Sequence, residues 1–334
     1  MPAIITRGAF SARGFGFGAS AAGGGGGDGT VGIFAIGLVG GCRTTTRNKY
    51  TYSSCTSTAC GVAVSSTGSW YGTAAGNSTR GIFALGPNAL CTNGSTTRDK
   101  YTYATCGSTS SGVAVSSAKS YGGSSAGNNT RGIFALGFNS GIGYGSIRNK
   151  YTYASCTSTA CGVASSSGTS FKGSAVGNST RGIFALGLTG AGGNCLTAVR
   201  NKYTYSSCTN TACGVGSASA ASYNGSAAGN STRGIFAIGY TAACQVTTRN
   251  KYTYACCSST ATGVGAASAA SYGGAAAGNS TRGIFAIGVT CFTGTTIRNK
   301  YTYSSCTSTA TGVGSASAAG YGGSAASWAT CVNS

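Results

Sequence analysis

Histidine is absent from this chain, and among its 334 residues only Asp28 and Asp99 carry a side-chain carboxylate. General acid–base catalysis and hydrolytic metal sites are assembled from His, Asp and Glu, so an ordinary hydrolase is not expected, and neither is a resident cofactor or metal. Proline occurs only twice. No stretch approaches the roughly 20 apolar residues that a bilayer span needs, so membrane insertion is not expected. The opening Met1-Pro-Ala-Ile-Ile-Thr-Arg7 lacks the apolar run of a secretory leader, so a position outside the cell would be reached without one. What the chain does contain is glycine at 59 positions, cysteine at 16, and 22 Lys and Arg against two acids, a net charge of +20. Such a charge concerns attraction to anionic partners, not fold. With 41% apolar residues the chain can still bury a core.

One phrase returns six times: Gly-Ile-Phe-Ala-Ile/Leu-Gly, a variable loop, then Asn/Asp-Lys-Tyr-Thr-Tyr. Its phenylalanines are Phe34, Phe83, Phe134, Phe184, Phe236 and Phe285, and its lysines Lys49, Lys100, Lys150, Lys202, Lys251 and Lys300, a period of about fifty residues. So constant a spacing points to one supersecondary unit repeated over residues 31–334. Residues 1–30 stand apart as a Gly-rich arm or linker, with five consecutive glycines at Gly23 to Gly27.

Within a unit, Ile82 to Leu85 is an apolar run too short for a helix, and Lys100 to Tyr103 is β-branched and aromatic, so both read as strands. Gly112-Val-Ala-Val-Ser116 reads as a third strand, the small-residue run Tyr121 to Ala126 as a fourth, and Gly127 to Arg131 as a tight turn. Four strands per repeat without helix signals make a blade. Six of them predict an all-β, six-bladed β-propeller of four-stranded antiparallel blades. Tyr321-Gly-Gly-Ser-Ala-Ala326 repeats Tyr272-Gly-Gly-Ala-Ala-Ala277, whereas Gly32-Ile-Phe34 has no such strand before it, so the C-terminal strand is expected to join the first blade.

The phrases Thr-Arg-Gly-Ile-Phe-Ala-Leu-Gly, Asn-Lys-Tyr-Thr-Tyr and Ala-Gly-Asn-Ser-Thr resemble the kelch-like repeats of structural proteins of tailed bacteriophages, over roughly residues 31 to 331. The usual Gly-Gly pair has become Leu85-Gly86 or Ile36-Gly37, and Trp70 and Trp328 are the only tryptophans, so the kelch motif is divergent. The resemblance implies a non-enzymatic virion module, a tail, fibre or capsid-associated protein in a multi-copy assembly. It would contact a host surface or another virion protein, residues 1–30 being the candidate arm for the latter. Alternative readings are a bacterial extracellular adhesin or filament subunit, and a polyanion- or nucleic-acid-binding protein.

Arginine precedes the apolar strand at Arg80, Arg131, Arg181, Arg233 and Arg282, with Val31 in the first repeat, and a second set, Arg47, Arg98, Arg148, Arg200, Arg249 and Arg298, lies two residues before each lysine. A meander puts these sets at opposite ends of a blade. The first set would form one ring and the second, with its lysines, another, both able to hold a host-surface glycan or other anionic polymer. One tyrosine of each Tyr-Thr-Tyr pair is expected between sheets. The cysteine pairs Cys55/Cys60, Cys156/Cys161 and Cys208/Cys213 are disulfide candidates, as an oxidising medium outside a host would allow. The Asn-Ser-Thr and Asn-Asn-Thr triplets beginning at Asn77, Asn128, Asn178, Asn230 and Asn279 read as turn chemistry rather than as glycan acceptors.

Overall fold

The computed structural model describes residues 30–40, 42–59, 61–87, 94–139, 143–160, 162–190, 195–212, 214–291 and 293–327. Every regular element among them is a strand, and the strands build six four-stranded antiparallel sheets, the blades of a β-propeller. Counted outward from the axis, blade 2 comprises Thr73–Gly76, Arg80–Ala84, Arg98–Thr102 and Gly107–Thr109. Blades 3 to 6 repeat this order from the innermost strands Ser124–Gly127, Ser174–Gly177, Ser226–Gly229 and Ala276–Gly278. In blade 1 the innermost strand is the C-terminal Ser324–Ser327, paired from Gly32↔Ser327 to Ala35↔Ser324. Each of the six innermost strands touches the one on either side, so the ring is closed.

The second strand of every blade reads Gly-Ile-Phe-Ala because both of its faces are covered. Successive side chains point to opposite faces, so the isoleucine faces one neighbouring blade and the phenylalanine the other. Ile33 joins Phe83, Tyr101 and Tyr103 of blade 2, while Phe34 joins Ile284 and Ala277 of blade 6. The core is therefore divided into six clusters, one at each seam. Burying each Ile or Phe contributes about 1.5–3 kcal/mol. The glycine before the isoleucine is a matter of space: a Cβ on Gly132 would lie 2.9 Å from Tyr153 Oη and 3.2 Å from Ala75 Cβ of blade 2.

Three readings from the sequence change. Both tyrosines of each pair are buried, Tyr50 at 0% and Tyr52 at 2% exposed, because residues two apart share a strand face and that face meets the preceding blade. Gly112 to Ser116 is not a strand but a connection between blades; its carbonyls at Ala114 and Val115 accept from Arg98 Nη1 instead of joining a ladder. The fourth strand is the three-residue segment just after the cysteine, Gly107–Thr109 in blade 2, and the small-residue strand belongs to the following blade as its innermost element. The Asn-Ser-Thr turns are Asx turns. Asn77 Oδ1 accepts from the Thr79 and Arg80 amides at 3.0 Å, and its Nδ2 donates to Asn129 O of the next blade, also at 3.0 Å.

Candidate functional site

The two arginine sets do lie at opposite ends of the blades, since Arg80 pairs with Thr102 and Arg98 with Ala84 in the strand register. Their surroundings differ from the expected pair of surface rings. Arg47, Arg98, Arg148, Arg200, Arg249 and Arg298 are 1–2% exposed and lie inside the seams. Arg98 shows the pattern. Its guanidinium carbon is 4.7 Å from the Phe134 ring centroid, Nη1 donates to Ser158 Oγ at 2.6 Å, and Nη2 donates to Asn149 Oδ1 at 3.2 Å. Burial lowers its pKa to about 10. A polyanion cannot reach these groups, so the second set is withdrawn as a binding ring. A planar fork with several donors suits this position between an aromatic face and a set of carbonyls.

Lys49, Lys100, Lys150, Lys202, Lys251 and Lys300 are half-buried, and the register places them in mid-strand, Lys49 opposite Ile33, rather than at a strand end. They do not form a ring on a face with the second arginine set. Arg80, Arg131, Arg181, Arg233 and Arg282 are half-buried. Each reaches across a seam: Arg80 Nη1 donates to Tyr153 O at 3.0 Å and lies 3.6 Å from Cys156 Sγ. The seam between blades 1 and 2 lacks this clamp because Val31 stands in the arginine position. That same seam has the one salt bridge among the described residues, Arg47 Nη2 to Asp99 Oδ2 at 2.9 Å.

Cys55, Cys106, Cys156, Cys208, Cys257 and Cys306 all have left-handed backbone, with φ between 52° and 56°, at the turn after the third strand. Eleven cysteines have free thiols among the described residues. Cys60, Cys161 and Cys213, the second members of the expected disulfides, lie outside the described residues, as do Asp28 and residues 1–29.

At the opposite end of the blades, just before each innermost strand, the chain reads aromatic-X-Gly. The X residues are Tyr71, Gly122, Lys172, Asn224, Gly273 and Gly322, and all have φ between 49° and 67°. Their backbones close a ring around the axis. Each amide donates to the carbonyl of the preceding X residue: Tyr71 to Gly322, Gly122 to Tyr71, Lys172 to Gly122, Asn224 to Lys172, Gly273 to Asn224 and Gly322 to Gly273, at 2.6–2.9 Å. Below the ring a cavity of about 100 Å³ follows the axis between the small residues of the innermost strands. Level with the ring lies a second space of about 60 Å³, lined by Tyr71, Lys172, Asn224 and glycines.

The three side chains on this ring line one space, Tyr71 and Asn224 from opposite blades, and desolvation raises the Tyr71 pKa. The Lys172 ammonium lies 4.8 Å from the Tyr71 ring centroid, 5.0 Å from Phe171 and 5.7 Å from Tyr223. Desolvation lowers its pKa. Around this floor stands an aromatic wall, with Tyr121, Phe138, Tyr144 and Phe171 at 5.0–6.0 Å centroid separations and Tyr223, Tyr240 and Tyr272 at 5.4–5.8 Å. Sequence reasoning did not single out this site. Its signal was the X position, variable inside an otherwise constant phrase.

No protein-family model matches the chain, and no curated protein matches it.

Proposed function

We propose that the chain is a non-enzymatic binding module that uses the aromatic mouth of its propeller, carried as a structural component of a tailed-phage virion and contacting a host surface. One observation carries this reading. The repeated side chains of the blades are spent on seams and turns, and six-fold repetition breaks at the mouth, where Tyr71, Lys172 and Asn224 replace glycine. A closed ring of small strands gives such a site a rigid frame. The kelch-like resemblance supplies the virion context, and the charge of +20 favours an anionic surface as the partner. Antibodies raised against the purified chain are expected to decorate purified phage particles in electron micrographs. Finding the chain only in the host cell, with no label on particles, overturns the virion assignment.

A further inference from the structure

In the left-handed region a Cβ meets the neighbouring carbonyl, so glycine is the natural occupant and other residues cost about 1 kcal/mol or more there. Gly122, Gly273 and Gly322 show that the hydrogen-bonded ring forms with glycine. The fold therefore does not need Tyr71, Lys172 or Asn224. The six cysteine turns are left-handed in every blade, whereas at the mouth non-glycine residues take this backbone in only three blades, and their side chains converge on an opening, the pattern expected of a binding site.

The chemistry of the mouth narrows the ligand. Lys172 is a half-buried cation held among three rings, and Asp99, the one carboxylate side chain among the described residues, is in the seam with Arg47. A partly desolvated ammonium without an anion is completed by one. A single cation matches a single negative charge, whereas a nucleic-acid backbone is held by a tract of Lys and Arg. The space beside Lys172 has room for a carboxylate, with the rest of the ligand against the aromatic wall. That wall is rich in tyrosine. It offers apolar faces together with hydroxyls, a set that a polyhydroxylated ring with C–H faces can use in full and an inorganic anion cannot.

We propose that this mouth binds a carboxylate-bearing sugar residue of a surface polysaccharide, with Lys172 taking the carboxylate, Asn224 and the Tyr71 hydroxyl taking sugar hydroxyls, and the wall covering the sugar face. The proposal rests on the reading of the chain as a surface-binding module and names the ligand class of that same site.

The test is calorimetric titration of the full-length chain with three acidic probes, trigalacturonate, a hyaluronan tetrasaccharide and sialyllactose, and with the methyl ester of any probe that binds. At least one acid is expected to bind, and its ester to bind about ten-fold or more weakly. Lys172→Gly, which copies the residue of three other blades, is expected to unfold no earlier than the parent and to lose binding by about ten-fold or more. Lys172→Arg is expected to retain it. No binding of any acid, equal binding of acid and ester, or unchanged binding by Lys172→Gly overturns the proposal. So does competition at equal affinity by inorganic phosphate or by oligothymidylate, which would make the mouth a simple anion site or a nucleic-acid site. Particle labelling by the antibody does not depend on these titrations, so failure of the ligand class and failure of the virion reading are separately visible.

Discussion

Burying six guanidiniums with one carboxylate among them is tolerable because both terminal nitrogens of each are hydrogen-bonded, only Nε being left without a partner. Arg98 lies over Phe134 and donates to two backbone carbonyls, a serine and an asparagine. Asn149 in turn accepts from the Ser117 amide at 2.9 Å and donates through Nδ2 to Ser117 Oγ at 2.8 Å. In blade 2 the equivalent residue is Asp99, which has no amide hydrogen, and the partner hydroxyl reverses its role: Ser66 Oγ donates to Asp99 Oδ1 at 2.6 Å. The seam thus accepts either residue by rotating one hydroxyl. Asp99→Asn is expected to change stability by no more than about 1 kcal/mol, because a buried ion pair is replaced by the arrangement of the other blades. Arg98→Lys should cost about 3 kcal/mol, since a point ammonium cannot stack and reach the same acceptors. Urea unfolding of the two variants beside the parent checks both. An Asp99→Asn variant that loses as much as Arg98→Lys would show that Arg47 depends on a counter-ion.

Five of the six seams are joined near both ends, by the buried Arg–Asn pair at one and by the Arg80-type clamp at the other, while the seam between blades 1 and 2 has Arg47–Asp99 in place of the pair. That seam has no clamp, because Val31 takes its place. Five equivalents show where an arginine there would reach, as Arg282 does to Tyr52 O at 3.0 Å, so at the deficient seam the acceptor is Tyr103 O. Val31→Arg is expected to stabilise the chain by about 1 kcal/mol, read as a higher thermal midpoint; no rise would mean that the seam is held fully by Arg47–Asp99. The second and third strands were legible in the sequence because Ile-Phe and Tyr-Thr-Tyr carry alternation and aromatic content, and the ring because one end repeats what the other lacks. The outer strand was not, since Gly107-Ser-Thr109 has no apolar residue to mark it, while Gly112-Val-Ala-Val-Ser116 imitates a strand and is a connection. Burial of Arg47 and its equivalents was hidden because groups that accept them come from the next blade, 61 residues away for Arg47, 60 for Arg98 and 241 for Arg298 across the closure of the ring. The mouth was hidden for the opposite reason: a reading by consensus discards the positions at which Lys172 and Tyr71 differ.

The closed ring buries its phenols and guanidiniums in such a way that alkaline pH should act on it. No histidine is present, so nothing of that type changes charge between about pH 5 and 8, and stability should be level there. At alkaline pH two populations oppose each other. Burial raises the pKa of Tyr50, Tyr71, Tyr101, Tyr151, Tyr203, Tyr252, Tyr254, Tyr301 and Tyr303 above the ordinary 10. The unfolded chain ionises these phenols while the seams, and for Tyr71 the mouth, hold them neutral. Their contribution is complete below pH 10 and is lost as the pH climbs towards the folded values. Arg98, Arg148, Arg200, Arg249 and Arg298 work the other way. Burial lowers them from 12.5 to about 10, so the folded state sheds protons first and gains relative stability over that interval. Arg47 shifts in the same direction, resisted by its contact with Asp99. The tyrosines outnumber these arginines, and guanidinium holds its proton strongly even when buried, so the phenols decide the sign. Thermal midpoints should be flat through neutrality and fall above about pH 10, together with the rise of phenolate absorbance. A midpoint that climbs over that range would assign control to the arginines, and the six seams would then be gaining from the loss of the charges they enclose.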